Sequence, residues 1–183
     1  MKNLQKTSKR LFLGIIILSL AITSSCSPED GKDGKDGING TNASIANTGF
    51  HVIPPETFDQ SIPNITYTKV QFGVETTDDM NAFNTATSEL TIPQNGFYHL
   101  SVTLKFFTAL PDNSPVVVQL RKNGWQFKSF SQRLGAVPSI NINGDFSLNA
   151  GDVITVFIFQ NTGAAQSLDR VANNTYFTGY RVY

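Results

Sequence analysis

The side chains able to carry acid–base, metal or nucleophilic chemistry are few and widely separated. The chain has two histidines, His51 and His99, and a single cysteine, Cys26. A metalloenzyme built on a β-rich fold needs clustered imidazoles, and these two fall in different segments. His99 sits in Phe97-Tyr-His-Leu-Ser-Val-Thr-Leu-Lys-Phe-Phe107, on the side opposite the apolar alternation, where a packed or interface histidine is expected. Asp78 and Asp79 are adjacent carboxylates, but a calcium ion takes about six to eight oxygens, so a solvated turn is expected there. The sequence contains no Gly-x-Ser-x-Gly nucleophile turn and no phosphate-cradling glycine loop. The expectation is a protein that is not an enzyme, with no catalytic residues, no cofactor and no metal site. Its ligand-binding residues are not legible at this level.

Cys26 has a more informative setting. Lys2, Lys6, Lys9 and Arg10 precede an apolar run from Leu11 to Ile22, which exits through Thr23-Ser24-Ser25 into Cys26. The run falls short of the roughly 20 apolar residues of a comfortable transmembrane helix, and a lone cysteine cannot build an internal disulfide framework. The segment resembles a bacterial lipoprotein signal, which implies removal of residues 1–25 and attachment of lipid to the sulfur of Cys26. Thr23 stands where such signals usually carry leucine, and the alternative is an ordinary secretory peptide in which Cys26 is incidental. Ser27 and Glu29-Asp30 look like export-permitting flanks of surface lipoproteins. The expected location is the bacterial cell envelope, at the outer membrane or cell surface, with the membrane as a partner through the lipid.

Loss of that leader removes four cations and no acids, so a chain of zero formal charge becomes mildly acidic. No basic cluster larger than Arg121-Lys122 survives. Nucleic-acid binding lacks its electrostatic footprint.

Residues 26–48 read as a stalk. Gly31, Gly34, Gly37 and Gly40 recur at every third position, the period a collagen triple helix requires because only glycine fits at its axis. Lys32 and Lys35 are placed to pair with Asp33 and Asp36 of neighbouring chains. The triplets carry no proline and are too few to be stable alone, given an ordering cost of about 1–2 kcal/mol per residue. A flexible glycine-rich spacer that winds only when a trimeric head holds three copies together is the expectation.

Residues 49–183 suffice for one domain. Turn signals recur at Pro54-Pro55, Pro63-Asn64, Pro93 to Gly96, Pro111 to Asn113, Asn123-Gly124, Asn143-Gly144, Ala150 to Asp152 and Thr162-Gly163. Short β-branched and aromatic runs lie between them, and no segment keeps a helical period, so an all-β sandwich or jelly roll is expected. Alternation puts Tyr98, Leu100, Val102, Leu104 and Phe106 on a core face and Phe97, His99, Ser101, Thr103, Lys105 and Phe107 on a semi-polar one. Val116 to Arg121 runs into Asn123-Gly124, a two-residue hairpin signal, with Trp125 to Phe130 returning. Asp152 to Phe159 is apolar on both faces and belongs at a sheet centre or under a partner. The closing Thr175–Tyr183 segment is expected to be paired and buried.

The order of motifs resembles the C1q/TNF-like family. Ala82-Phe83-Asn84-Thr85, then the Thr-rich stretch to Pro93 and Gly96-Phe97-Tyr98, matches its central signature. Lys122-Asn123-Gly124 looks like its hairpin, Leu148-Asn-Ala-Gly-Asp152 like its Gly-Asp turn, and Phe177-Thr-Gly-Tyr180 like its closing strand. The resemblance spans nearly all of residues 49–183, and a collagen-like run before such a head is the family's own architecture. Departures are Asp79 to Ala82 where a glycine usually precedes the aromatic-Asn pair, Ser88-Glu89 in place of Thr-Gly, and Arg181 in the last strand. The resemblance implies a ten-strand jelly-roll sandwich that assembles as a homotrimer around an aromatic-lined axis, with Phe97, Phe107 and Tyr180 approaching that axis. Some members bind calcium near the trimer top, which draws attention to Asp78, Asp79 and Asp112.

Two readings of function follow. One is a non-enzymatic, surface-anchored trimeric binding or adhesion head for a protein or glycan, with contacts from the loops Leu110–Pro115 and Gln160–Asn174. The other is a structural envelope or matrix protein whose role is trimeric assembly without a specific ligand.

Overall fold

The structure, a computed structural model, describes residues 48–57 and 59–183. Cys26 and the glycine repeat lie outside the described residues. In chain order the strands are β1 Gly49–Ile53, β2 Ser61–Ile62, β3 Thr68–Lys69, β4 Val74–Asp78, β5 Phe83–Asn84, β6 Glu89–Thr91 and β7 Gly96–Lys105. There follow β8 Ser114–Lys122, β9 Trp125–Leu134, β10 Ser139–Leu148, β11 Val153–Gln160, β12 Gln166–Ser167 and β13 Tyr176–Arg181. One sheet runs β10-β7-β13-β1-β4 and the other β5-β6-β11-β8-β9, with β3 beside β11 and β12 paired to β2. The two main paths carry ten strands, those of the expected jelly-roll sandwich. The additions β2, β3 and β12 are each two residues long.

Alternation decides which side of each sheet is core. Tyr98, Leu100, Val102, Leu104 and Phe106 are all fully buried, and their neighbours Phe97 to Lys105 on the other side of β7 are half-buried. β11 is a central strand, paired to β8 and to the short strands β6 and β3. This explains why it is apolar on both sides. β13 lies between β7 and β1, so the closing strand is paired in the middle of a sheet, but it is not buried throughout: Phe177 and Gly179 are buried, whereas Tyr180, Val182 and Tyr183 are exposed. At the hairpin, Asn123 and Gly124 take φ of 52° and 84°, the left-handed pair that a two-residue turn needs. β9 continues past Phe130 to Leu134 because its partner β8 extends to Ser114.

Asn143-Gly144 is not a turn. It lies in the middle of β10, which pairs with β7 over its whole length from Ser139 to Leu148. Two local facts outweigh its turn chemistry. Gly144 faces inward beneath the Phe146 ring, whose Cζ would be 2.8 Å from a Cβ there. On the outer side Asn143 Nδ2 donates to Asn141 Oδ1 at 2.8 Å, and Asn141 Nδ2 donates to Thr103 Oγ1 at 2.8 Å on β7.

The departures from the family pattern also find local reasons. Ser88 has a φ of 53°, a conformation that favours glycine. Its hydroxyl holds it there by accepting from the Phe72 N–H at 3.0 Å and donating to the Phe72 carbonyl at 3.3 Å. Asn81 takes a φ of 49°, which asparagine tolerates. Arg181 reaches back to donate from Nη2 to the Asn95 carbonyl at 3.0 Å, pinning the loop before β7.

Between the sheets, four phenylalanines interlock. The Phe177 ring meets Phe50 at 4.8 Å, edge to face, and lies 5.8 Å from Phe72 and 6.3 Å from Phe83. All four are buried, and each contributes on the order of 1.5–3 kcal/mol by leaving water. Two residues on, Gly179 lets β13 pass between its neighbours. A Cβ at that position would lie 2.5 Å from the His99 carbonyl oxygen and 2.8 Å from both Leu100 Cδ2 and Phe50 Cε1. Gly179→Ala is expected to destabilise the domain by about 1–3 kcal/mol through overpacking. Its urea midpoint should fall, and an unchanged midpoint would show that β7 and β13 can separate without cost.

Candidate functional site

The outer side of the first sheet carries an ordered set of polar and aromatic side chains. Strand register lines them up in rows across the sheet: Asp145–His99–Tyr180, then Asn143–Ser101–Thr178–His51, then Asn141–Thr103–Tyr176. His99 stacks on Tyr180 with ring centroids 5.2 Å apart, and its Nδ1 lies 2.6 Å from Asp145 Oδ1. His51 stacks on Tyr176 at 5.3 Å, and partial burial lowers its pKa below the ordinary histidine value. Phe97 stacks on Tyr183 at 5.6 Å. Both histidines of the chain thus stand on one face, each flat against a tyrosine. Tyr180 remains 51% exposed, and Val182 and Tyr183 beside it are also exposed.

Next to this face lies an edge strand open on both sides. Along β9, Trp125, Gln126 and the run from Lys128 to Arg133 are exposed, and only Leu134 is buried. Phe127 is held edge-on to Phe146 at 4.9 Å, joining β9 to β10 at the sandwich margin. Phe130 is exposed, and Trp125, at the hairpin tip, is 81% exposed.

The outer side of the second sheet holds a groove of about 280 Å³ lined by Lys69, Glu89, Arg121, Asn123, Gly124, Val153, Thr155 and Phe157. Arg121 lies over the Phe157 ring at 3.7 Å from its centroid and 5.6 Å from that of Tyr67. Lys69 Nζ meets Glu89 Oε1 at 2.8 Å, and that hydrogen bond holds the Glu89 carboxyl below its ordinary pKa. One end of the groove is framed by two of the sequence motifs, which meet in space. Asn123 Nδ2 donates to Asp152 Oδ1 at 2.9 Å, and the Val153 N–H donates to Asn123 Oδ1 at 2.8 Å. Asp152 Oδ2 accepts the Asn149 N–H at 3.0 Å, with Lys122 Nζ at 3.4 Å.

The other residues singled out by sequence are placed as follows. Asp78 uses Oδ2 to accept the N–H groups of Ala82 and Phe83 at 2.7 and 2.8 Å, so it shapes the turn into β5. Asp79 and Asp112 are exposed. Among the described residues no group of three His, Cys, Asp or Glu side chains converges as a metal site. Phe97 and Tyr180 share the first-sheet face near one end of β7. Phe107 lies beyond the other end of that strand and is 64% exposed. The segment Leu110–Pro115 is tied by Leu110 N–H to the Gly135 carbonyl and by Arg133 to the Asn113 carbonyl. The segment Gln160–Asn174 is also heavily bonded: buried Gln160 donates to the carbonyls of Ile62 and Ala164, and Asp169 accepts from Val171 and Asn174. Cys26 lies outside the described residues. Sequence reasoning missed the groove, because Tyr67, Lys69, Glu89, Arg121 and Phe157 come from four strands and a loop with no shared spacing.

Comparison with solved structures identifies the fold. Murine APRIL at pH 5.0 superposes with a TM-score of 0.56 at 18% identity, covering 74% of this chain and 99% of that one. The globular domain of zebrafish complement 1qA gives 0.54 at 16% identity, covering 75% and 98%. Eiger TNF from S. frugiperda gives 0.57 at 11% identity, covering 75% and 94%. No family model matches the sequence, and no curated protein matches it. The described domain therefore has the C1q/TNF-like jelly-roll fold, as its motifs led one to expect.

The Asp152 network generates a pH dependence. The Asn149 N–H above all, then Asn123 and Lys122, holds its carboxyl below the ordinary value against the opposing effect of burial. A depressed folded-state pKa stabilises the fold above the unfolded-state value of about 3.9, and that contribution is lost as pH falls through the folded value. Asp152→Asn should therefore lower stability near neutral pH and lose less on acidification than the parent does. Parallel urea titrations at neutral and strongly acidic pH check this, and equal losses in the two proteins would refute it.

Proposed function

We propose that this chain is a non-enzymatic, lipid-anchored protein of the bacterial cell envelope whose C1q/TNF-like head assembles as a homotrimer and serves as a binding or adhesion module. The observation that carries the assembly reading is the first-sheet face, with its stacked His–Tyr and Phe–Tyr pairs left open beside a β9 strand exposed on both sides. Stacked aromatics at a sheet surface favour a covered environment, because aromatic burial dominates interface energetics. The face and the edge strand are different surfaces of one chain. Their contact is heterologous, and a heterologous contact whose rotation closes forms a ring. A ring of three copies, each laying its β9–β10 margin against the next copy's first-sheet face, covers both surfaces at once. Phe97 and Tyr180 then approach the shared axis. The head would stand off the membrane on the glycine-repeat stalk, anchored through lipid on Cys26.

Light scattering of residues 43–183 on a sizing column should give three times the chain mass. Tyr180→Asp, which places a carboxylate in the covered face, should release single chains that keep the parent's circular dichroism spectrum. A parent of single-chain mass, or a Tyr180→Asp protein that remains a trimer, would overturn the assembly reading. The anchor is tested separately. Cys26→Ser should move the protein from the membrane fraction to the soluble fraction, and unchanged membrane retention would argue against lipidation.

A further inference from the structure

We propose that the groove on the outer face of the second sheet binds a carboxylated sugar residue of an acidic glycan, with Arg121 as the carboxylate receptor. This deepens the reading of the head as a binding module and does not depend on its trimeric state. The central observation is that Arg121 is held in place yet left with its main recognition edge unused. Its guanidinium lies on Phe157 at 3.7 Å. Its Nε donates to Gln119 Oε1 at 3.2 Å, and Gln119, only 4% exposed, is in turn fixed by donating from Nε2 to Gln126 Oε1 at 2.6 Å. Stacking and relay fix the guanidinium plane, so little further ordering entropy opposes a bidentate contact. Among the described residues Nη1 and Nη2 have no acceptor, and the one carboxylate that lines the groove, Glu89, is engaged by Lys69. A cation that could have been neutralised within the protein is instead presented outward.

The rest of the groove narrows the ligand class. Because Lys69 and Glu89 cancel, the groove offers about one net positive charge, which suits a monocarboxylate better than a phosphate dianion. Tyr67, 41% exposed and 5.0 Å from Phe159, supplies an aromatic plate at the groove's edge for the C–H face of a sugar ring. The floor is formed by β8, paired on both sides, and β11, paired with β8 along its length and with β6 and β3 at four residues on its other side. An extended peptide, which gains affinity from main-chain bonds at a free sheet edge, finds none here. Side-chain recognition of a charged ring is what this surface can offer. The lining residues come from β3, β6, β8, β11 and the Asn123-Gly124 turn, and none from β9, the strand of this sheet that the proposed assembly covers.

The test is an amide chemical-shift titration of the full chain with methyl glucuronide, with methyl glucoside, acetate and an acidic peptide as comparators. Saturable shifts at Gln119, Thr155 and Phe157 are expected with the uronide, and at least about tenfold weaker binding with the neutral glucoside, since a charge-assisted contact is lost. Arg121→Ala and Arg121→Lys should each weaken uronide binding by about tenfold or more, because lysine keeps the charge but not the fork. Tyr67→Ala, which leaves Arg121 in place, should weaken it by a smaller factor. Spectra unchanged outside the groove exclude misfolding of the variants. Equal binding of uronide and glucoside, equal binding of acetate, tighter binding of the peptide, or an Arg121→Ala protein that binds like the parent would each overturn the proposal. Light scattering on the same samples separates the readings: a trimer that binds no uronide sinks only the groove, and a single chain that binds it sinks only the assembly.

Discussion

The close passage of β13 between β7 and β1 is the constraint on which the first sheet depends. At Gly179 the strand has no room for a side chain, because the His99 carbonyl, Leu100 and Phe50 occupy the space a Cβ would need. Phe177, two residues earlier and on the same side, drives its ring into Phe50, Phe72 and Phe83. A strand that is small at one inward position and large at the next fixes both its height and its register. A one-residue slip would put Phe177 outside and turn the whole face over.

That register is what arranges the outer surface. Because Tyr180 is opposite His99 and Thr178 opposite Ser101, the aromatic and polar residues form rows and not a scatter. The row positions bring His99 against Asp145 on one side and Tyr180 on the other. Core packing thereby sets the geometry of a surface that the core itself never touches. The second sheet works the same way: burial of Val118, Leu120, Ile154, Val156 and Ile158 leaves Gln119, Arg121, Thr155 and Phe157 on the outer side. There, Gln126 and Gln119 orient Arg121 over Phe157.

Much of this fold is legible in the residues, and the places where it is not have a physical cause. The alternation in β7, the Asn123-Gly124 hairpin and the two-sided apolarity of β11 each report a burial pattern that a strand must satisfy. The Asn143-Gly144 pair misleads, because its turn preference is local while its pairing with β7 and its packing under Phe146 are not. Ser88 and Asn81 take the left-handed backbone that favours glycine, and only the contacts of Ser88 with Phe72 show how a non-glycine residue is held there. Asp78 looks like half a cation site by type, yet its Oδ2 is occupied with the turn that follows it, and its Oδ1 is buried without a hydrogen-bond partner among the described residues.

By itself the sequence determined the all-β class, the jelly-roll fold through the family its motifs resemble, the core face of β7 and the hairpin that turns β8 into β9. These rest on periodicity and turn chemistry, which act between residues close in the chain. Only the tertiary structure decided which outward-facing side chains become neighbours. The meeting of Asn123 with Asp152, of His99 with Asp145 and Tyr180, and of Arg121 with Phe157, Tyr67 and Gln119 joins positions from separate strands. No spacing rule connects such residues. Their proximity follows from strand register across a sheet, and register is set by the packing of buried side chains on the other face.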